Sequence, residues 1–282
     1  MTLTAAHTTC GWQASLALRF ERRADATLLA ECRHRGPLRV QKALYPEGKQ
    51  VCHAIVLHPP AGIAGGDELE ISVEVGAAAH ALLTTPGAGK WYRSAAPWAR
   101  QTLSFEVAAG AVLEWLPQET IVFDGALANM QSRVRLAAGA GYLGWEVLCL
   151  GRRAAHETFS HGELRLGTRI EQDGKLLWLE QGWLTGGSPL LNSPVGLAGF
   201  SVSATLLAAG RPVAPSLLAA CRAIAPLESG AQYGLSVLPQ LLVARYLGHS
   251  SEAARAWFAQ LWRVLRPALL GREAQPPRIW ST

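Results

Sequence analysis

The chain has 282 residues, 49% of them hydrophobic and only 17% charged; this excludes a disordered polymer and allows one large β domain or two ordinary ones. Its net charge of +5 comes from scattered residues, mostly arginine, with no basic run interleaved with aromatics, which excludes a nucleic-acid-binding stripe. No apolar run approaches the roughly 18 residues of a membrane span, and the opening MTLTAAHTTCGWQ lacks the basic and apolar regions of a secretory signal.

From Gln13 to about Ser203 the pattern is one of short alternating runs separated by Gly, Pro or Asp. ASLALRFE, DATLLAECRH, VCHAIVLH, LEISVEV, HALLTT, QTLSFEV, AVLEWL, TIVFD, SRVRLA, YLGWEVLCL, ELRLGTRIEQ and KLLWLEQGWL all read as strands, at the roughly ten-residue spacing of an all-β fold. Asp173-Gly174 between two such runs marks a tight hairpin. After Arg211-Pro212 the character changes. Ser216 to Ala225 reads as a helix capped by Ser216, Tyr233 to Leu238 and Leu241 to Leu247 as strands, and Ser251 to Leu265 as the strongest helix. In that helix Ala254, Trp257, Phe258, Leu261, Trp262 and Leu265 recur at three and four, one wide apolar face suited to a core. The expected organisation is a single domain over 1–282: a β-rich body over 1–210, a helix-containing part over 211–270 and a tail over 271–282 that Ile279-Trp280 could anchor to the body or to a partner. Ten Trp predict large apolar surfaces in the core or at an interface. Cys10, Cys32, Cys52, Cys149 and Cys221, odd in number and widely spaced, are expected to be free thiols in a reducing cytoplasm.

The centre of interest is LEWLPQETIVFDGA, Leu113 to Ala126. Read with period two, Val112, Glu114 and Leu116 share one face and Leu113 and Trp115 the other, so Glu114 sits among apolar neighbours. A carboxylate there is costly unless a cation or several donors meet it. Glu119 and Asp124 follow within ten residues, and Glu146 (between Trp145 and Val147) and Glu180 (in LLWLEQGW) are likewise acids inside apolar strands. Arginine partners, with Arg93, Arg152 and Arg169 the obvious ones, are the structural alternative to a site.

Other motifs carry less. Gly139 to Gly144 matches G-x-G-x-x-G, but a strand-like segment follows where a dinucleotide site needs a helix. Thr85 to Trp91 resembles a phosphate loop but has Thr84 in place of the first Gly and Trp91 in place of the metal-binding hydroxyl; Lys90, Tyr92 and Arg93 remain candidates for a polar surface. His156 and His161 are five apart, on different helix faces, and so do not form a zinc pair. Cys52, His53 and His58 are close in sequence, but only Cys52 and His58 would share a strand face. His58 to Asp67, HPPAGIAGGD, specifies an unusual loop; Asp67 either faces a cavity or caps the loop itself. No Ser/His/Asp or Cys/His catalytic set emerges.

RHRGPLRVQKALYPEGKQVCHAIVLHPPAGIAGGDELEI, TTPGAGKWYRS, LEWLPQETIVFDGA, LGWEVLCLGR, ETFSHG, VLRPALLG and PRIW, in this order over nearly the whole chain, resemble the urease accessory protein family UreD, called UreH in some organisms. Two positions depart from the family pattern: Ala61 stands where Gly is usual in the Pro-Pro loop, and His156 where Gly usually precedes the Glu of G-E-T-F, a possible extra ligand beside Glu157.

The resemblance implies a mainly β, distorted β-helix-like or stacked-sheet body with two α-helices toward the C-terminus, and a scaffold with no chemistry of its own. It implies a cytoplasmic protein that binds the urease apoenzyme subunits and UreF, and through UreF the GTPase UreG. Its cargo would be transient Ni²⁺, with no tightly bound cofactor, guided to urease along an internal passage. Weak oxygen ligands suit an ion in transit, and acids would concentrate a dication. The acids expected to line such a passage are Asp67, Glu114, Glu119, Asp124, Glu146 and Glu180, with Thr84, Thr85 and Tyr92 as further polar lining; Trp257, Ile279 and Trp280 are the expected partner contacts. The alternative role is an assembly clamp that opens urease without itself conducting nickel.

Overall fold

A computed structural model describes residues 11–281. Its strands are β1 (Gln13–Arg23), β2 (Ala26–Arg35), β3 (Arg39–Leu44), β4 (Cys52–Leu57), β5 (Glu68–Val75), β6 (His80–Thr84), β7 (Gly89–Trp91), β8 (Ala99–Val107), β9 (Val112–Trp115), β10 (Thr120–Val122), β11 (Leu127–Leu136), β12 (Gly141–Leu150), β13 (Glu163–Gln172), β14 (Lys175–Thr185), β15 (Val202–Ala209), β16 (Gln232–Leu238) and β17 (Leu241–Gly248). The helices are α1 (Pro189–Asn192, one turn), α2 (Pro215–Arg222) and α3 (Ser251–Leu265).

From β4 onward the chain winds between two sheets. Strands β5, β8, β11 and β13 stack in parallel in one sheet, and β4, β6, β9 and β12 stack in parallel in the other. This is the stacked-sheet body that the family resemblance implies; the spacing of the short strands indicates only an all-β fold. Antiparallel strands close both ends: β1–β2 and β3 at one, β14 and the β15–β17–β16 series at the other. We call the sheet ending in β14 sheet A and the sheet ending in β16 sheet B. The Asp173-Gly174 turn joins β13 to β14 with positive φ at both residues, the two-residue hairpin its sequence specifies.

Period-two patterning places two cores on opposite faces of sheet B. Its inner face, with Leu83, Leu113, Trp115 and Tyr142, packs on Leu16, Ile71, Val73 and Phe105 of sheet A. Its outer face, with Leu82, Val112, Leu116, Leu143 and Trp145, is covered by Trp257, Phe258, Leu261 and Trp262 of α3. Helix α3 has the bounds its sequence predicts, with Ser250 accepting a hydrogen bond from the Ala253 amide. Helix α2 starts one residue before the predicted Ser216, because Pro215 suits a first helical position, and ends three residues short of Ala225. After α3 the chain makes a π turn over Arg266–Leu270, then runs as a tail to a short turn at Arg278–Ser281. Cys32, Cys52, Cys149 and Cys221 are free thiols; Cys10 lies outside the described residues.

Candidate functional site

The two faces of sheet B treat their acids in opposite ways. On the outer face Glu114 is fully buried. Trp262 Nε1 donates to its Oε2 at 2.6 Å, Arg266 Nε donates to both oxygens at 3.0 and 3.1 Å, and His80 Nε2 lies 2.7 Å from Oε1. Arg266, itself wholly buried, also clamps Glu47 through two bonds of 2.6 and 2.8 Å and donates to the Glu273 carbonyl, while His53 Nε2 lies 2.5 Å from Glu47. Burial pushes both carboxyls up, but the donors outweigh it: Glu114 falls below the usual range, and Glu47 falls to about 2 under His53 and Arg266. Glu114 is therefore the electrostatic joint between sheet B, α3 and the tail, and it lines neither of the two cavities between the sheets. The expected passage role for Glu114 is corrected on this point. Its partner is Arg266, 152 residues away, a pairing no local pattern reveals.

On the inner face the registers bring a different set together. Along sheet A, Ile71, Leu103, Ser132, Thr168 and Glu180 are successive partners on five neighbouring strands, so one inward row turns from apolar to polar. Along sheet B, Glu146, Thr205 and Arg245 form the matching row. Two cavities of about 220 and 140 Å³ lie between the sheets and share a wall made of Leu103, Trp115, Ser132, Trp145, Glu146 and Thr168. The larger extends to His58, Ala61, the Thr85–Lys90 loop and Glu119; the smaller extends to Ser203, Thr205, Glu180 and Arg245. Each reaches exposed residues, Pro86 and Gly87 at one end and Arg245 at the other.

Three of the expected acids line this space. Glu146 sits at its middle, and burial, with Glu180 adding repulsion, pushes its carboxyl up to about 7. Glu180 accepts from Arg245 at 2.7 Å. Glu119 lies 3.0 Å from Arg255 Nε of α3, an ion pair without an aligned hydrogen bond, and Arg255 also donates to Gln118. Thr85 lines the larger cavity and accepts from the Gln118 amide.

The remaining expected residues lie elsewhere. Asp67 caps its own loop, accepting from the Ala64 and Trp12 amides at 2.8 Å each. Asp124 accepts from the Ser160 and His161 amides at 2.7 Å each, with Arg93 at 3.6 Å; burial pushes its carboxyl up, but His161 and these amides hold it below the usual range. Thr84 is buried between the Leu116 carbonyl and Trp280 Nε1, and Tyr92 packs edge-on against Phe123. None of these four lines either cavity. Arg152 and Arg169 hold Glu157 and Glu171 instead of any of the six acids. Trp257 is not a partner contact: it is completely buried and donates to the Ile224 carbonyl. Trp280 ties the tail to the body, bonding Thr84 and stacking on Trp145 and Trp262 with centroids 5.4 and 5.7 Å apart; Ile279 shares its turn.

The residues that sequence reading missed are Ser132, Thr168, Thr205 and Arg245 in the cavity and Glu47, His80 and Arg266 at the joint; His58, singled out for its loop, lines the larger cavity. A polar residue at an inward strand position, such as Ser132 in SRVRL, is the signal that marks the first group once register is known. Ala61 and His156 have φ of 60° and 55°, the left-handed region where glycine is favoured, which accounts for the glycine pattern both depart from. Glu157 beside His156 is already bound by Arg152 at 2.6 Å and by the Asp124 amide. Among the described residues no three or more His, Cys, Asp or Glu side chains converge on a point that could hold a metal, and no helix is long and apolar enough to cross a membrane.

Fold and cavity define a two-sheet coiled scaffold with an apolar core, a cavity line between its sheets that carries three acids, and a helix-braced outer face. The profile of the family described as UreD urease accessory protein matches residues 13–281. The chain is 59% identical over 273 residues to the urease accessory protein UreD of Dechloromonas aromatica, covering 96% of this chain and 95% of that protein. It is 56% identical over 272 residues to the UreD of Azoarcus sp., with the same two coverages, and 48% identical over 281 residues to that of Methylobacillus flagellatus, covering 100% and 98%. This chain belongs to the UreD family.

Proposed function

We propose that this chain is a cytoplasmic, non-enzymatic urease maturation protein that docks on the urease apoenzyme and on UreF, with UreG arriving through UreF, and that it lets Ni²⁺ pass between its two sheets. The observation that carries this reading is the row of three carboxylates, Glu119, Glu146 and Glu180, along two adjoining cavities that reach exposed residues at each end. Hydroxyls of Ser132, Thr168 and Thr205 lie between them. Oxygen ligands of this kind hold Ni²⁺ more weakly than imidazole or thiolate, so the ion exchanges rather than lodges. The unpaired Glu146, protonated near neutral pH, trades its proton for the dication.

The test is to co-express a tagged chain with the urease subunits and UreF, and to compare wild type with Glu146→Gln. The expected result is unchanged co-purification of apo-urease and UreF, with urease nickel content and activity lowered at least several-fold. Full activation by Glu146→Gln would favour the clamp that opens urease without conducting nickel. Loss of co-purification by the wild type would remove the scaffold role itself.

A further inference from the structure

The two ends of the cavity line are built differently. At the Glu119 end, Arg255 reaches its acid from α3, outside the cavity lining. At the Glu180 end, the arginine is part of the lining: Arg245 on β17 of sheet B spans the opening to Glu180 on β14 of sheet A, with its guanidinium 5.7 Å from the Trp178 ring. β14 is the last strand of sheet A, so the bridge stands where the sandwich opens at its edge. We propose that Arg245 is the gate of this opening: its guanidinium occupies the cation position on Glu180, so a dication held at Glu146 leaves at this end only by displacing it. This rests on the proposed passage and adds a specificity-determining residue to it. An exposed ion pair of this kind is weak enough to open on its own, yet a fixed positive charge repels any cation that approaches while it is closed.

The physics separates charge from packing. Removing the guanidinium frees a second carboxylate beside Glu146 and lowers the barrier; a lysine at the same place keeps the charge. Arg245 is 51% exposed, so Arg245→Gln and Arg245→Lys are both compatible with folding, which circular dichroism checks. Trp115, on the inner face, lines the space next to Glu146, so Ni²⁺ there is expected to quench its fluorescence. The purified full chain is loaded with NiSO₄ and mixed in a stopped-flow instrument with excess EDTA, and the recovery of tryptophan emission is timed. Recovery in Arg245→Gln is expected to be about fivefold faster than in wild type, the factor one part-exposed ion pair sets, with Arg245→Lys at the wild-type rate and with Glu146→Gln showing no quenching to reverse. Equal rates in Arg245→Gln and wild type, with quenching still lost in Glu146→Gln, would overturn the gate and leave the passage standing. Equally fast recovery in both Arg245 variants would overturn a charge gate in favour of packing. Full quenching in Glu146→Gln would overturn the passage, and the gate with it.

Discussion

Glu114 and Glu146 lie on neighbouring strands of one sheet and differ only in which face they project from. The outer one is met by a buried guanidinium, an indole and an imidazole, and its carboxyl is held below the ordinary range. The inner one faces a cavity with another acid nearby, and its carboxyl is pushed up to about 7. A fully paired buried charge is costly to break, whereas an unpaired one stores free energy that a ligand can release. The same residue type is thus structural on one face and a candidate for function on the other.

The largest expected effect comes from breaking the outer cluster. Glu114→Ala leaves Arg266 buried with half its partners gone, at a cost of about 3–5 kcal/mol, measured by urea unfolding. A loss below about 1 kcal/mol would show that the joint contributes little. Next is the tail: Trp280→Ala removes the bond to Thr84 and the ring contacts with Trp145 and Trp262, and should lower stability by about 2–3 kcal/mol in the same assay.

The inner acid should answer with the opposite sign. Its folded carboxyl titrates near 7, above the ordinary value of 4.5, so its contribution is favourable below about pH 4.5 and is lost as pH rises through 7. Glu146→Gln is therefore expected to be more stable than wild type at pH 8, by about 1–3 kcal/mol, with the gap closing toward pH 5. For Glu47, depressed to about 2, the sign reverses: its stabilisation is present above about pH 4.5 and is lost as pH falls toward 2. Melting temperatures recorded from pH 3 to 9 in both backgrounds would reveal the two windows, and a flat difference between Glu146→Gln and wild type would break the contrast. The smallest effect belongs to the cavity rim. Ala61→Gly relieves a left-handed alanine at φ 60° and should stabilise by about 0.5–1 kcal/mol, read as a small rise in the unfolding midpoint.

By itself the chain determined the elements and their faces. Alternation in AVLEWL separated Val112, Glu114 and Leu116 from Leu113 and Trp115, and these do enter different cores. The hairpin at Asp173-Gly174 and the span and cap of α3 followed from turn and capping chemistry, which acts over a few residues. The family blocks carried the likeness to UreD, and Glu119, Glu146 and Glu180 were among the acids picked out. What tertiary structure alone decided was which acid met which cation. Glu114 and Glu180 looked alike in sequence, each a carboxylate within an apolar strand. Only the winding of the coil put Arg266 beside one and a cavity mouth with Arg245 beside the other. The reason is physical: periodicity is a local property, whereas burying a charge depends on partners 65 to 152 residues away whose approach is set by strand register.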